Sequence, residues 1–402
     1  MLTSSDSNFD SPSVSTTGEQ QKPMNATLCE DSGLETRKGV SCRQRQSVDE
    51  RANIIQSNMS PRGNSSAICR LPTEILSQIF MFCLPRDQHL SPKPGLAPLL
   101  LTTISRQWRE IAIGFPKLWC MLQLQVDRAD WQQRALCYNT WLKRSRGCPL
   151  SLRIVCRGDL SELRNMLQPY IVKISSLTLE FSHFDKPFMV DDFHALKELT
   201  ILTSGFDFTR AIDKSLSKLP VNLHRLDMTR VLFNHKQLVP DSAWDRLTDV
   251  KIKIYELDEF LRLLRLCPNL SSLSICDIMN PIKIETPGPV THASLQNLHM
   301  YGSVLGDDDV GVGLFNAITL PNLRLLDFRQ KGPWPHGEFK AFVMRSKCPL
   351  ESLIFGMEMS LTDQQQEECT SLLPSLKRVA GKTYSRDSIN RVFKSAYRQF
   401  FS

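Results

Sequence analysis

Pro268-Asn269-Leu270-Ser271-Ser272-Leu273-Ser274-Ile275 spaces its apolar residues as L-x-x-L-x-I behind a proline and an asparagine. The last two apolar positions alternate with serines, the period of a strand with one buried face. Proline ahead of them ends a preceding helix and turns the chain into the extended region. The same spacing returns from Ile174, Leu196, Leu223, Leu247, Leu295, Leu323 and Leu350, with a weaker copy at Leu376-x-x-Val379. Successive starts lie 22 to 28 residues apart. A unit of that length holds one strand and one crossover. It cannot bury its apolar side alone, so stacked neighbours must complete the core.

The punctuation keeps the same phase. Prolines precede the strands in Pro220-Val221-Asn222-Leu223, Pro321-Asn322-Leu323 and Pro374-Ser375-Leu376, and Cys148-Pro149-Leu150 and Cys348-Pro349-Leu350 are shortened forms. Helical runs at 257–266, 314–318 and 339–345 fall between strands. The repeat length matches leucine-rich repeats, roughly 20–29 residues. One departure stands out. The Asn or Cys that regular repeats place three residues after the last strand leucine is replaced by Ser182, Ser204, Val231, Tyr255, Ile278, Ser303, Lys331 and Glu358. The expected fold is therefore α/β: an irregular leucine-rich-repeat-like αβ solenoid with a curved parallel sheet over 148–383, opened by a strand at Leu150-Ser151-Leu152-Arg153-Ile154. Residues 384–402 are expected to form a capping helix, with Ile389, Val392, Phe393, Ala396, Tyr397 and Phe400 on one face.

A smaller helical module is expected over 68–122. Pro72 near the first turn, Thr73 as a cap and Glu74 against the dipole start a helix whose apolar stripe runs through Ile75, Leu76, Ile79 and Phe80. Pro85 ends it, and a second helical run over 99–113 is expected to break near Arg109. The motifs Leu71-Pro72-x-Glu74-Ile75-Leu76-x-x-Ile79-Phe80, Ile104-Ser105-Arg106-Gln107-Trp108-Arg109 and Phe115-Pro116-Lys117-Leu118-Trp119 occur in order. Together they resemble an F-box, above all those of a large fungal family, which usually has Cys where this chain has Ser105. The resemblance covers about a tenth of the chain strongly. It implies docking onto the small adaptor subunit of an SCF-type cullin–RING ubiquitin ligase, and Leu71, Pro72, Ile75, Leu76, Ile79 and Leu101 are the expected interface. Phe80 and Trp108 are expected inside the module. Residues 123–147 are expected to be a connecting helix, with Trp131, Ala135, Tyr138 and Leu142 on one stripe.

Composition narrows the function classes. Lys+Arg 49 against Asp+Glu 42 gives a net charge of +7 without a basic run, a weak case for nucleic acid. No apolar run reaches membrane-spanning length, and the polar start is not a signal peptide, so a cytoplasmic or nuclear setting is expected. Twelve cysteines contain no CxxC pair and read as free thiols. Residues 1–67, rich in Ser and Thr, are expected to be a disordered tail with a short helix near 48–55.

Residues alternating with the strand leucines line the open side of such a sheet. Those expected to contact a target protein are Arg225, Asp227, Lys251, Lys253, His299, Tyr301, Asp327 and Arg329. Trp334, on a loop, either grips a partner or tucks over a repeat edge. Asp307-Asp308-Asp309 reads as helix-capping acids rather than a metal site. No nucleophile–base pair, phosphate loop or metal-ligand spacing is legible, so neither cofactor nor catalysis is expected. The expectation is a substrate-recognition adaptor of the ligase, binding an unidentified target protein and neither nucleic acid nor membrane. The alternative is a non-catalytic interaction scaffold acting outside ubiquitination.

Overall fold

The computed structural model describes residues 67–85, 89–126, 131–157, 161–181, 190–203, 218–232, 244–280, 288–301, 310–329, 334–356 and 361–381. The chain divides into two compact units, 1–70 and 71–402. The first is described only by the 3-10 turn Ala67–Arg70. The expected tail helix, Asp307-Asp308-Asp309 and the capping helix lie outside the described residues.

The second unit is α/β. Eleven parallel strands form one sheet and follow the chain order. They are β1 (Met121–Val126), β2 (Leu150–Cys156), β3 (Ile174–Phe181), β4 (Glu198–Thr203), β5 (Arg225–Leu232), β6 (Asp249–Glu256), β7 (Ser272–Asn280), β9 (Asn297–Tyr301), β11 (Leu325–Arg329), β12 (Ser352–Phe355) and β13 (Arg378–Gly381). The short β8 (Val290–Thr291) and β10 (Ile318–Thr319) pair separately. Helices α1 (Thr73–Phe82), α2 (Leu101–Ile104) and α3 (Arg106–Gly114) precede the sheet. The helices α4 (Trp131–Arg144), α5 (Ser161–Leu167), α6 (Leu257–Leu266), α7 (Val310–Ala317), α8 (His336–Ser346) and α9 (Asp363–Leu372) lie between strands.

The repeated apolar spacing maps onto burial. The first apolar positions from Ile174 through Leu350 are fully buried, as are the strand pairs such as Leu226/Met228, Leu273/Ile275 and Leu298/Met300. Several first leucines close a turn: Leu196, Leu223, Leu247, Leu270 and Leu323 donate N–H to the carbonyls of Phe193, Pro220, Trp244, Cys267 and Leu320. The following residues then reach the neighbouring strand, as Ser272 N–H does to Thr248 O at 2.9 Å. An asparagine ladder, absent from the expected position beyond the strands, stands instead before them. Asn222, Asn269 and Asn322 each donate a side-chain N–H, at 2.7 Å, to the carbonyls of His194, Asp245 and Ala293 one unit upstream. Three side chains so placed satisfy turn carbonyls at the exposed corner where the chain folds into the sheet.

The sheet begins one strand earlier than the sequence suggested. Met121-Leu122-Gln123-Leu124-Gln125-Val126 alternates buried and half-exposed residues and pairs with β2 over six positions, although it lacks the L-x-x-L-x-L signature. The expected boundary at 122 therefore cuts through β1. The expected connecting helix is the β1–β2 crossover: α4 buries Tyr138, Trp141 and Leu142, while Trp131 is only half-buried. Trp141 is the unexpected anchor. Its indole N–H donates to Trp119 O at 3.1 Å, and the two rings meet edge to face at 5.0 Å.

Local details of the helical segment also differ from expectation. Pro72, not Thr73, occupies the N-cap of α1, with no side-chain capping bond. The second helical run breaks at Ser105, not near Arg109. Ser105 is extended, and its hydroxyl accepts the Trp108 N–H at 3.1 Å, so it caps α3. Phe80 is fully buried, but Trp108 is only half-buried against it, with ring centroids 4.8 Å apart. Trp334 tucks inside among Phe315, Phe328, Phe339 and Phe355.

Two substitutions test which tryptophan carries this region. Trp141→Ala is expected to lose about 3–5 kcal/mol, because it removes a fully enclosed ring and its hydrogen bond. Trp108→Ala is expected to lose distinctly less. The urea midpoints of the intact proteins report the ranking, and equal losses would contradict it.

Candidate functional site: the open face of the sheet

Side chains that alternate with the buried leucines face away from them, and the parallel register sets them in rows across strands. One row runs Arg225, Asp249, Ser272, Asn297, Leu325 and Ser352. The next runs Asp227, Lys251, Ser274, His299, Asp327 and Ile354. The register thus brings the expected target-binding residues onto one face, in two groups.

The first group spans β4 to β6. Arg225 donates to Glu198 at 2.8 Å and lies 3.7 Å from Asp249, while Lys251 sits 3.9 Å from Asp227. Lys253 is half-buried on the same strand, two residues beyond Lys251. These are surface pairs between adjacent strands, each worth under about 1 kcal/mol. They orient charge more than they stabilise.

The second group is tighter. Asp327 is 2% exposed, although it lies on the polar side of β11. Arg329 grips it from the same strand, Nε to Oδ1 at 2.6 Å and a terminal nitrogen to Oδ2 at 2.7 Å, a bidentate pair. From β9, the Tyr301 hydroxyl lies 3.3 Å from Asp327 Oδ2 and 3.0 Å from His299 Nδ1. The phenol has one hydrogen, which goes to the carboxylate. His299 Nδ1–H is then the donor to the phenol oxygen, and it also lies 3.5 Å from Asp327 Oδ2. The Tyr301 ring stacks on His299 at 5.9 Å, with the Arg329 guanidinium 5.2 Å from its centre.

Burial, then the Asp327 charge, pushes the Tyr301 phenol up to about 12, so it stays a hydrogen-bond donor. Burial alone would raise the Asp327 carboxyl. The hydrogen bonds from His299 and Arg329 outweigh that and hold it below its ordinary value. Every group here already has a partner within the cluster, which makes it a pre-organised polar platform rather than a poised acid or base. Among the described residues, no three His, Cys, Asp or Glu side chains are grouped to hold a metal ion.

The residues expected at an adaptor interface separate. Ile75 is 43% exposed, Pro72 is exposed, and Leu71 and Ile79 are half-buried. Leu76 and Leu101, expected at the surface, are buried in the core. The helical period explains the split: Ile75, Ile79 and Phe82 share one side of α1, and Leu76 and Phe80 the other. Missed by the sequence stripe were Phe82, 79% exposed, and the exposed Leu100 and Ile104. Also missed was a cavity of about 280 Å³ between Leu99, Trp119, Leu136, Cys137, Trp141 and Arg144. Its walls come from segments without a shared motif.

No protein-family model matches this chain, and no curated protein matches it closely. Among the described residues no helix is long and apolar enough to cross a membrane.

Asp327→Asn is expected to destabilise the fold at neutral pH by roughly 3 kcal/mol, since it breaks a bidentate ion pair at an almost fully enclosed position. Asp327 has a folded-state pKa below its unfolded value. Its contribution is therefore complete above the ordinary carboxylate range and lost as pH falls through the lowered value. The stability gap between wild type and Asp327→Asn should be constant near neutrality and shrink below about pH 4. Denaturation at a series of pH values measures it; a gap that widens in acid would contradict the ion-pair geometry.

Proposed function

We propose that this chain is a substrate-recognition adaptor of an SCF-type cullin–RING ubiquitin ligase. An F-box-like segment at 71–119 docks the small adaptor subunit. The leucine-rich-repeat-like sheet holds a target protein while other subunits transfer ubiquitin. The chain itself carries no catalytic step. The observation that supports this most is the division of apolar residues in the helical segment. Its interior is already closed by Leu76, Phe80, Leu101, Ala112, Leu118 and Trp119, yet Ile75, Phe82, Leu100 and Ile104 remain exposed. Large apolar side chains left outside a completed core are the usual mark of a protein–protein contact.

The sheet suits the second half of this role. It presents paired charges between β4 and β6 and an aromatic, hydrogen-bonded platform on β9 and β11. A partner meets a rigid surface whose polar groups are already satisfied, so specificity comes from shape and charge order.

Binding of the purified intact protein to the purified adaptor subunit tests the proposal. Ile75→Asp is expected to weaken that complex at least ~30-fold, about 2 kcal/mol, with an unchanged melting temperature. Leu76→Asp, at a buried position, is expected to unfold the segment and serves as the contrast. If the intact protein does not bind the adaptor and Ile75→Asp alters nothing, the ligase role fails and the scaffold alternative takes its place.

A further inference from the structure

The cavity of about 280 Å³ lies where the helical segment meets α4, apart from the charged face of the sheet. Cys137, Thr140, Trp141 and Arg144 form one stripe of α4, and Leu99 and Trp119 close the other side. The walls are mostly apolar, and the Thr140 hydroxyl already donates to Leu136 O at 2.9 Å. That leaves one charge. Arg144, the last residue of α4, is half-buried, with its guanidinium 4.5 Å from the centre of the Trp119 ring. Among the described residues no carboxylate pairs with it, and the titratable neighbour that bears on it is Cys137. A place in the last turn suits a cation to the helix dipole, as it does the exposed Lys143 beside it. The dipole does not explain a guanidinium drawn over an apolar wall, where burial disfavours its charge.

We propose that this cavity is a binding site for a small amphipathic monocarboxylic acid, its apolar body filling the pit and its carboxylate paired with Arg144. Size sets the body. An apolar cavity of about 150 Å³ takes benzene, so about 280 Å³ takes one aromatic ring with a short chain. Charge and shape set the head. A guanidinium stays protonated at any ordinary pH and presents parallel N–H donors that match a planar carboxylate. In a site short of water that pairing is stronger than at the open surface. The binding is non-covalent: burial pushes the Cys137 thiol up, away from the nucleophilic thiolate.

The same walls argue against a peptide as the occupant. A peptide brings backbone N–H and C=O groups that need partners at the rim. The Thr140 hydroxyl has committed its one hydrogen within the helix, and the side chains of Leu99 and Leu136 have none to offer. A compact acid with its one polar end on Arg144 leaves nothing unpaired. Filling the pit would also brace Trp119 and Trp141, whose rings meet edge to face, and so stabilise the joint between α3 and the sheet. The acid is thus a ligand of that joint, independent of what the helical segment or the sheet binds.

The probe is 4-phenylbutyrate, titrated into the intact protein by calorimetry, with neutral 4-phenylbutyramide as its isostere. The expected result is saturable one-to-one binding of the acid, with a dissociation constant of about 0.1–1 mM, and at least ~10-fold weaker binding of the amide. Because Cys137 lines the cavity, the acid should slow its labelling by N-ethylmaleimide several-fold. The exposed Cys83, which does not line it, should label unchanged. Arg144→Gln is expected to reduce the acid to the affinity of the amide without altering the amide itself. Should that variant not fold, the acid–amide comparison and the Cys137 labelling of the wild type still decide. Equal binding of acid and amide, no saturation by about 10 mM, or equal protection of Cys83 and Cys137 would overturn the proposal. So would protection of Cys137 by the purified adaptor subunit when the acid leaves it unprotected. That result would assign the cavity to a protein contact and leave the ligase role standing.

Discussion

A parallel strand satisfies its backbone only if the next strand arrives beside it at the same height, and every other feature of this fold depends on meeting that condition. Here the height is set where each strand starts. The first leucine of the unit drops into the core, its N–H closes a turn three residues back at Leu196, Leu223, Leu247, Leu270 and Leu323, and the next N–H groups reach the neighbour's carbonyls. Asn222, Asn269 and Asn322 reinforce the same corner. Units of unequal length can then share one sheet, because most variation is absorbed elsewhere. The register shifts of β5 against β6 and of β6 against β7 fall toward the strand ends, beyond Met228 and Ile252. Only β2 against β3 slips at its start.

With the register settled, the two faces of the sheet have different chemistry. The apolar face is uniform because each leucine must meet the leucines of its neighbours and the crossover above them. The opposite face has no such demand, and its charges pair laterally, Arg153 with Glu180, Arg225 with Glu198, Lys251 with Asp227. Asp327 is the exception in degree. An almost fully enclosed carboxylate costs several kcal/mol unless fully paired. Arg329, Tyr301 and His299 supply that pairing, and in doing so make the β9–β11 surface rigid.

The helical segment and the sheet belong to one unit because an edge strand needs cover. β1 is the first strand of the sheet, and its outer side receives Leu90, whose carbonyl accepts the Gln123 N–H at 2.8 Å. Trp119 and Trp141 close the corner above it, with the Trp119 indole N–H bonded to Ala112 O of α3. What resembles a separable module at the level of motifs is continuous with the sheet through these contacts.

The sequence by itself determined the main-sheet strands from β2 to β12, though not the short β8 and β10, the parallel order, the buried leucines and the face on which Arg225, Lys251, Tyr301 and Asp327 lie. All of these follow from a period of two inside a repeat of 22 to 28 residues. Only the tertiary structure decided the rest. β1 escaped because Gln123 and Gln125 alternate with apolar residues without the leucine spacing of a crossover unit. Leu76 and Leu101 turned inward, Phe82 and Ile104 outward, because a short amphipathic helix does not say which of its flanks another helix covers. The Asp327 cluster joins Tyr301 and Asp327, 26 positions apart. One-dimensional periodicity reports which face a residue takes. Which distant partner stands beside it depends on register and on the packing of crossovers, and these exist only once the sheet is assembled.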